Sequence, residues 1–298
     1  ARIEADNMVF GNKIPYEGAI GTSIAKVFDM TVAASGLPAK RLKQAGIDYL
    51  SATIHSGSHA GYYPDALQMS IKITFSPADG KLLGAQIVGY SGVDKRIDEF
   101  SQVIKHSGTV YDLMALEQAY APPFSSAKDP VAVTGYVAGN ILNGKMQPLY
   151  WRELQAADWS KVTLVDVRTP DEFALGALKG AVNIPLDDMR DRMKEIPRDK
   201  PVYLYCGVGL RGYLASNILL QNGYQEVKNL IGGLKLYKAA TTPLPEPKEF
   251  SNSASSSSDS SKVDHSEHSK DSAEAYTIAS SVIPSMRAIK VDACGISC

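Results

Sequence analysis

Val202-Tyr203-Leu204-Tyr205-Cys206-Gly207-Val208-Gly209-Leu210-Arg211-Gly212-Tyr213-Leu214-Ala215 is the stretch on which the fold turns. Val202 to Tyr205 is a short apolar run that reads as a buried strand. Glycines then punctuate a loop, and Leu214, Ala215, Ile218 and Leu219 mark one side of a helix ending near Gly223. The same sequence of elements occurs upstream. Val162 to Val167 is an apolar strand, and Thr169-Pro170-Asp171-Glu172 is a helix start, with Pro in the first turn and a Thr/Glu pair at capping-box spacing. Strand, helix, strand, helix within residues 146–240 predicts an α/β domain, a parallel sheet flanked by helices.

Three readings of the Cys206 loop compete. Gly207, Gly209 and Gly212 match G-x-G-x-x-G between a strand and a helix, the context of a dinucleotide fingerprint. A cysteine opens this loop, however, and the domain is too small for two mononucleotide halves. The acidic residue expected ~20 positions on is not in place either, since Glu226 falls early. The second reading makes Cys206 a structural core thiol, a common fate of free cysteine, but that leaves the glycines and Arg211 unexplained. The third uses all of them. Glycines allow the loop to turn its backbone N–H groups inward, and the helix N-terminus adds its positive end. Cys206 at the centre then presents a thiolate and can stabilise an anionic sulfur adduct.

Outward from this domain the chain changes character twice. Residues 1–145 read as an α+β unit. Strand character runs over Ser23–Thr31, a short helix starts at Leu37-Pro38-Ala39-Lys40 and stops near Gly46, and Leu67, Met69, Ile71, Ile73 and Phe75 alternate with polar residues. Ser76-Pro77-Ala78-Asp79-Gly80 supplies the turn to a hairpin partner, Leu82 to Val88. Ile97, Phe100 and Ile104 then share one helical face, ended by Gly108. Residues 241–280 pass from prolines into the Ser-rich stretch 251–272, whose composition cannot bury enough surface to fold and predicts a flexible linker. The sequence opens on Ala1 and stops at Cys298 with no closing element, which reads as a chain cut at both ends.

Composition narrows the function further. Among 298 residues, 44% are hydrophobic and 21% charged, ordinary for globular domains. Thirty-one basic against thirty-two acidic residues give a net charge of -1, which argues against a nucleic-acid binder. No apolar run approaches the ~20 residues of a membrane span. The three cysteines cannot form a disulfide framework, so reactive thiols in a reducing, cytoplasmic compartment are expected. His55, His59 and His106 have no metal-ligand spacing, and no metal is expected.

Leu164-Val165-Asp166-Val167-Arg168-Thr169-Pro170-Asp171-Glu172-Phe173, Gly180-Ala181-Val182-Asn183-Ile184-Pro185, the Cys206–Gly212 loop and Asn229-Leu230-Ile231-Gly232-Gly233 together resemble a rhodanese domain. The resemblance implies that Cys206 accepts a sulfane sulfur as a persulfide. The amides of Gly207, Val208, Gly209, Leu210 and Gly212 would cradle it, and Arg211 would close the loop or meet the donor. The related phosphatases of this fold carry one more residue between Cys and Arg, so the Cys-x4-Arg spacing favours sulfur. Ala177 departs from the family, which often has His there.

Tyrosines beside prolines stand out in residues 1–145: Gly61-Tyr62-Tyr63-Pro64 and Ala119-Tyr120-Ala121-Pro122-Pro123-Phe124. With Gly11–Tyr16, Lys26-Val27-Phe28, Asp94–Asp98 and Gly135–Asn140, they resemble the dimerisation domain of the flavin- and pyridine-nucleotide-dependent disulfide reductases, in the coenzyme A disulfide reductase branch. The Pro-rich segment lacks the His of the glutathione-reductase branch. The resemblance implies a homodimer in which Tyr120, with Tyr62 or Tyr63, reaches the other subunit's flavin–cysteine site and serves a departing coenzyme A thiolate. FAD and NAD(P)H would be bound by domains expected upstream of Ala1. Val291–Cys298 resembles the opening of a TusA-like sulfur-carrier domain over residues 281–298, with Cys298 as its thiol.

The resulting expectation is part of a coenzyme A disulfide, persulfide or polysulfide reductase fused to a rhodanese. Its partners would be small sulfur donors, thiols and a sulfur-carrier protein. The rivals are a stand-alone thiosulfate sulfurtransferase and a non-enzymatic persulfide carrier on a dimer scaffold.

Overall fold

The computed structural model describes residues 2–11 and 14–243. The expected linker beyond 243 and the expected sulfur-carrier start, with Cys294 and Cys298, lie outside the described residues. Helix α1 (Arg2–Phe10) precedes a first layer of β1 (Ser23–Val27), β2 (Met30–Gly36), α2 (Ala39–Gln44), β3 (Leu50–Gly57), β4 (Gln68–Phe75) and β5 (Leu82–Gly89). Helices α3 (Val93–Lys105), α4 (Val110–Ala115) and α5 (Pro130–Leu142) follow. The strands form one antiparallel sheet in the order β1-β2-β5-β4-β3.

Alternation along β4 puts Met69, Ile71, Ile73 and Phe75 into a core with Ile97 and Phe100 of α3, while Gln68, Ser70 and Lys72 stay nearer solvent. The expected strand over Ser23–Thr31 is instead a hairpin. The chain turns at Phe28-Asp29, where Phe28 takes a φ of 52°, so Met30 and Thr31 belong to the returning strand. Strand β3 lacks a clear sequence signature, because Ser51, Ala52, Thr53 and Ser56 dilute its apolar signal. Helix α3 closes with Ser107 in the left-handed region at φ 56°, one residue before the expected Gly108.

The second layer runs β6 (Gln147–Leu149), α6 (Trp151–Gln155), β7 (Thr163–Asp166), α7 (Pro170–Ala174), β8 (Val182–Asn183), α8 (Met189–Arg192), β9 (Val202–Tyr205), α9 (Leu210–Gln221), β10 (Val227–Leu230) and α10 (Gly233–Thr241). Its sheet, ordered β6-β10-β9-β7-β8, is parallel at every pairing. The capping box at the start of α7 forms as the spacing predicts, with Thr169 and Glu172 bonding each other's backbone N–H. Along α9, Ala215, Ile218 and Leu219 are buried, but Leu214 is 43% exposed and does not belong to the buried face.

The two layers share a seam. Ile231, just after β10, packs into the first core, and the Tyr150 hydroxyl donates to the Ser51 carbonyl of β3 at 3.1 Å. His55 of β3 contacts Ser70 through Nδ1 at 2.8 Å. Its ring lies against the Gly232 backbone, with Nε2 buried and without a hydrogen bond of ordinary geometry.

Candidate functional site

Cys206 ends β9 at the carboxyl edge of the parallel sheet, the edge where loops of α/β folds collect ligands. It is 1% exposed, and its Sγ accepts the Gly209 N–H at 3.1 Å. Gly209 caps α9 with a φ of 116°, a conformation that favours glycine. The first-turn N–H groups of α9 have no partner within the helix, so the Cys206 sulfur faces a positive helix end as well as the Gly209 amide.

A second glycine pair locks the loop from behind. Leu234 N–H donates to the Cys206 carbonyl at 2.8 Å and Lys235 N–H to the Gly207 carbonyl at 3.0 Å. Gly233, at φ 60°, must approach so closely that a Cβ there would lie 2.6 Å from the Cys206 oxygen and the Val208 nitrogen. Gly212 is likewise pressed against Asn229, whose Nδ2 donates to the Gly209 carbonyl at 3.0 Å. The glycines that match a dinucleotide fingerprint are therefore used to fold the backbone tightly around a thiol.

Arg211 swings from the first turn of α9 toward α7. Its Nη1 and Nη2 donate to Glu172 Oε2 and Oε1 at 2.6 and 2.7 Å, a two-point fork, and Nη2 lies near Gly207 at the loop. The guanidinium holds the Glu172 carboxyl down to about 2, and Glu172 raises Arg211 in return. Sequence reading placed Glu172 only as a helix cap; its second partner is 39 residues away. Asp166 and Arg168 form a buried pair at 2.6 Å, and Asn183 Nδ2 donates to both of their carbonyls, fixing the β7–α7 turn that presents Glu172.

The tyrosines form a separate site. The Tyr62 and Tyr120 hydroxyls meet at 3.1 Å, both on exposed rings, and this bond raises the Tyr120 pKa above that of an ordinary phenol. Tyr63 is not part of that pair: its ring meets His59 edge-on at 5.8 Å. Beneath the two loops lies Arg96, 1% exposed. It donates to the Ser58 carbonyl at 2.9 Å, to Ser125 Oγ at 3.3 Å and to Asp129 Oδ2 at 2.9 Å. Burial disfavours the Asp129 charge, yet bonds from Arg96, Ser125 and the Val131 amide hold its carboxyl below the usual range. Ala60 N–H also reaches the Ser125 carbonyl at 3.0 Å, so the two tyrosine loops are tied to each other as well as to Arg96.

Residues 22–131 match the family model of the pyridine nucleotide-disulphide oxidoreductase dimerisation domain, and residues 150–240 match the rhodanese-like domain. The chain is a reductase-type dimerisation domain followed by a rhodanese-like domain. The chain is 38% identical over 141 residues to coenzyme A disulfide reductase of Staphylococcus haemolyticus, covering 47% of this chain and 32% of that protein. Among solved structures, reduced Bacillus anthracis CoADR-RHD superposes with a TM-score of 0.76 at 47% identity, over 78% of this chain and 42% of that one. The NAD-dependent persulfide reductase of A. fulgidus gives 0.68 at 36% identity, over 76% and 41%. The chain thus spans 32% to 42% of the length of these relatives. Among the described residues no helix is long and apolar enough to cross a membrane.

Proposed function

We propose that the rhodanese-like domain carries sulfane sulfur as a persulfide on Cys206, within an oxidoreductase acting on coenzyme A disulfides or persulfides. The observation that carries this reading is the Cys206 loop, with a glycine amide already on the sulfur and a helix N-terminus behind it. The chemistry balances with small molecules alone. The Cys206 thiolate attacks the sulfane sulfur of a donor such as thiosulfate. A new S–S bond forms, the donor's S–S bond breaks, and sulfite leaves with the electron pair. A thiolate acceptor then attacks the outer sulfur and Cys206 leaves as thiolate.

FAD and NAD(P)H follow from the dimerisation-domain family, but the residues described here do not fit either cofactor as its main holder. The one G-x-G-x-x-G match is closed around Cys206, with the Gly209 amide on its sulfur and Gly212 pressed against Asn229. Both cofactors belong instead with portions of the longer relatives that this chain does not span. The dimerisation domain supports a homodimer. In it Tyr120, whose hydroxyl meets that of Tyr62 and whose pKa that bond raises, would donate a hydrogen bond to a departing thiolate.

Two measurements test the reading. Incubation with thiosulfate followed by intact mass should add one sulfur mass, and Cys206→Ser should abolish it; an adduct retained by that variant rejects the assignment. In a full-length reductase, Tyr120→Phe should slow disulfide or persulfide turnover about ten- to a hundredfold, the cost of one charge-assisted hydrogen bond. Sulfur loading at Cys206 should be unchanged in the same variant.

A further inference from the structure

Arg211 stands between the Cys206 thiol and Glu172: it interacts with Cys206, and its two terminal amino groups both donate to the Glu172 carboxylate. The pair is about one-third exposed on each side, so a donor entering from solvent meets it directly. Aliphatic side chains border it: Val208 and Leu210 are 38% and 65% exposed, and Leu175, one turn beyond Glu172, is 87% exposed. A mouth with a neutralised arginine and an aliphatic rim is poorly suited to a small dianion. It suits a donor with an organic body and a single negative charge.

We infer that Glu172 is a specificity-determining residue, which by occupying the Arg211 fork disfavours dianionic sulfur donors such as thiosulfate relative to monoanionic organic ones. This rests on the reading that Cys206 carries sulfane sulfur. It goes beyond that reading by naming the donor class and the residue that selects it. The physical basis is charge. A carboxylate beside the entry path repels a dianion about twice as strongly as a monoanion, and the effect is moderated by solvent at a partly exposed pair.

Thiosulfate and methanethiosulfonate make the comparison, because they differ by one charge and deliver sulfur in the same way. Thiolate attack on the terminal sulfur releases sulfite from the first and methanesulfinate from the second. Cyanide can then remove the sulfur from Cys206 as thiocyanate, returning the thiolate, so one readout serves both donors. Glu172→Gln keeps an acceptor for the Thr169 N–H, and with it the helix cap.

The expected result for the 298-residue chain is a thiosulfate KM lower by roughly three- to tenfold in Glu172→Gln, with kcat within about twofold. The methanethiosulfonate KM should fall less, so the preference moves toward thiosulfate. An equal change for both donors, or a change confined to kcat, overturns the inference and leaves Glu172 as a support for Arg211. A second measurement does not depend on the variant's folding. With Arg211 neutralised, the wild-type thiosulfate KM should stay nearly flat between about 0.02 and 0.2 M salt, and a steep rise would refute the idea. If wild type yields no thiocyanate from either donor and Cys206 gains no sulfur mass, the sulfur-carrier reading itself fails. Loading with an unchanged donor ratio sinks only the role of Glu172.

Discussion

The Cys206 loop and the Tyr62–Tyr120 face solve opposite problems. At Cys206 the sulfur is buried and its surroundings are mostly backbone: a glycine amide, a helix end, and carbonyls tied back by Leu234 and Lys235. At the tyrosine pair the hydroxyls are exposed, and what is buried is the support, a guanidinium–carboxylate pair with two serines. Backbone sites depend on residues that lack side chains, so their failures come from added atoms. Side-chain supports depend on charge, so their failures come from atoms removed. Each region should therefore break under a different kind of substitution.

The largest expected effect on the fold is at the tyrosine support. Arg96→Ala leaves the Asp129 carboxylate buried without its main partner, and breaking such a pair costs about 3–5 kcal/mol. Thermal unfolding should fall by roughly ten degrees for a chain of this size. Because Ile231 joins the two cores, a single transition moving as a whole would show that the domains unfold together. Two transitions, of which only one moves, would show that the seam is weak. A melting temperature within about two degrees of wild type would show that the ion pair contributes little.

Next in size is Gly233→Ala. The added methyl meets the Cys206 carbonyl and the Val208 amide at 2.6 Å, in a backbone conformation that L side chains rarely adopt. Strain of about 1–3 kcal/mol is expected, and it should appear as slower sulfur loading at Cys206, by roughly ten- to a hundredfold if it is expressed wholly in the loop. Loading at the wild-type rate would mean that the loop is not held in the geometry that reaction needs. Tyr62 and Tyr120 should be untouched by this substitution.

These two sites were not equally legible in the sequence. The Cys206 loop could be read because its determinants are contiguous: one cysteine, glycines and an arginine within seven residues of Cys206. Even there Glu172 was seen only as a cap, since nothing local shows that its carboxylate also receives Arg211. The parallel sheet followed from strand–helix alternation, whereas β3 was lost among small polar residues that a buried strand edge tolerates. The tyrosine site could be located only by resemblance. Its support joins Arg96 to residues 29, 33 and 38 positions away, and no local pattern announces such a network.

The seam offers a comparison in which pH is the variable. Burial, helped by the nearby Lys235 charge, holds His55 down to about 4 from 6.5. The unfolded chain takes up a proton near 6.5, while the native ring resists until about 4. The contribution of His55 to stability is thus complete above pH 6.5, declines as pH falls through that window, and is flat below 4. The decline should amount to about 1–3 kcal/mol in denaturant titrations at the two ends. In His55→Gln the slope across the window should lessen; an unchanged slope would assign the acid sensitivity to other groups.

The smallest effect on stability should come from the most exposed contact, and it tests whether the tyrosine pair is held by its own bond or by what lies beneath it. Tyr62→Phe removes a hydroxyl that Tyr120 meets at 3.1 Å on rings open to solvent, where water replaces the lost partner. Stability should change by less than about 0.5 kcal/mol. The Tyr120 titration is the sensitive readout. Its raised pKa comes first from the bond to Tyr62, so in Tyr62→Phe it should move back down toward the ordinary phenol value. Ultraviolet or NMR titration of the tyrosines reports this directly. If Tyr120 titrates as before, the bond is not what keeps its proton, and the Arg96 network, by setting the two loops, would be the whole basis of the site.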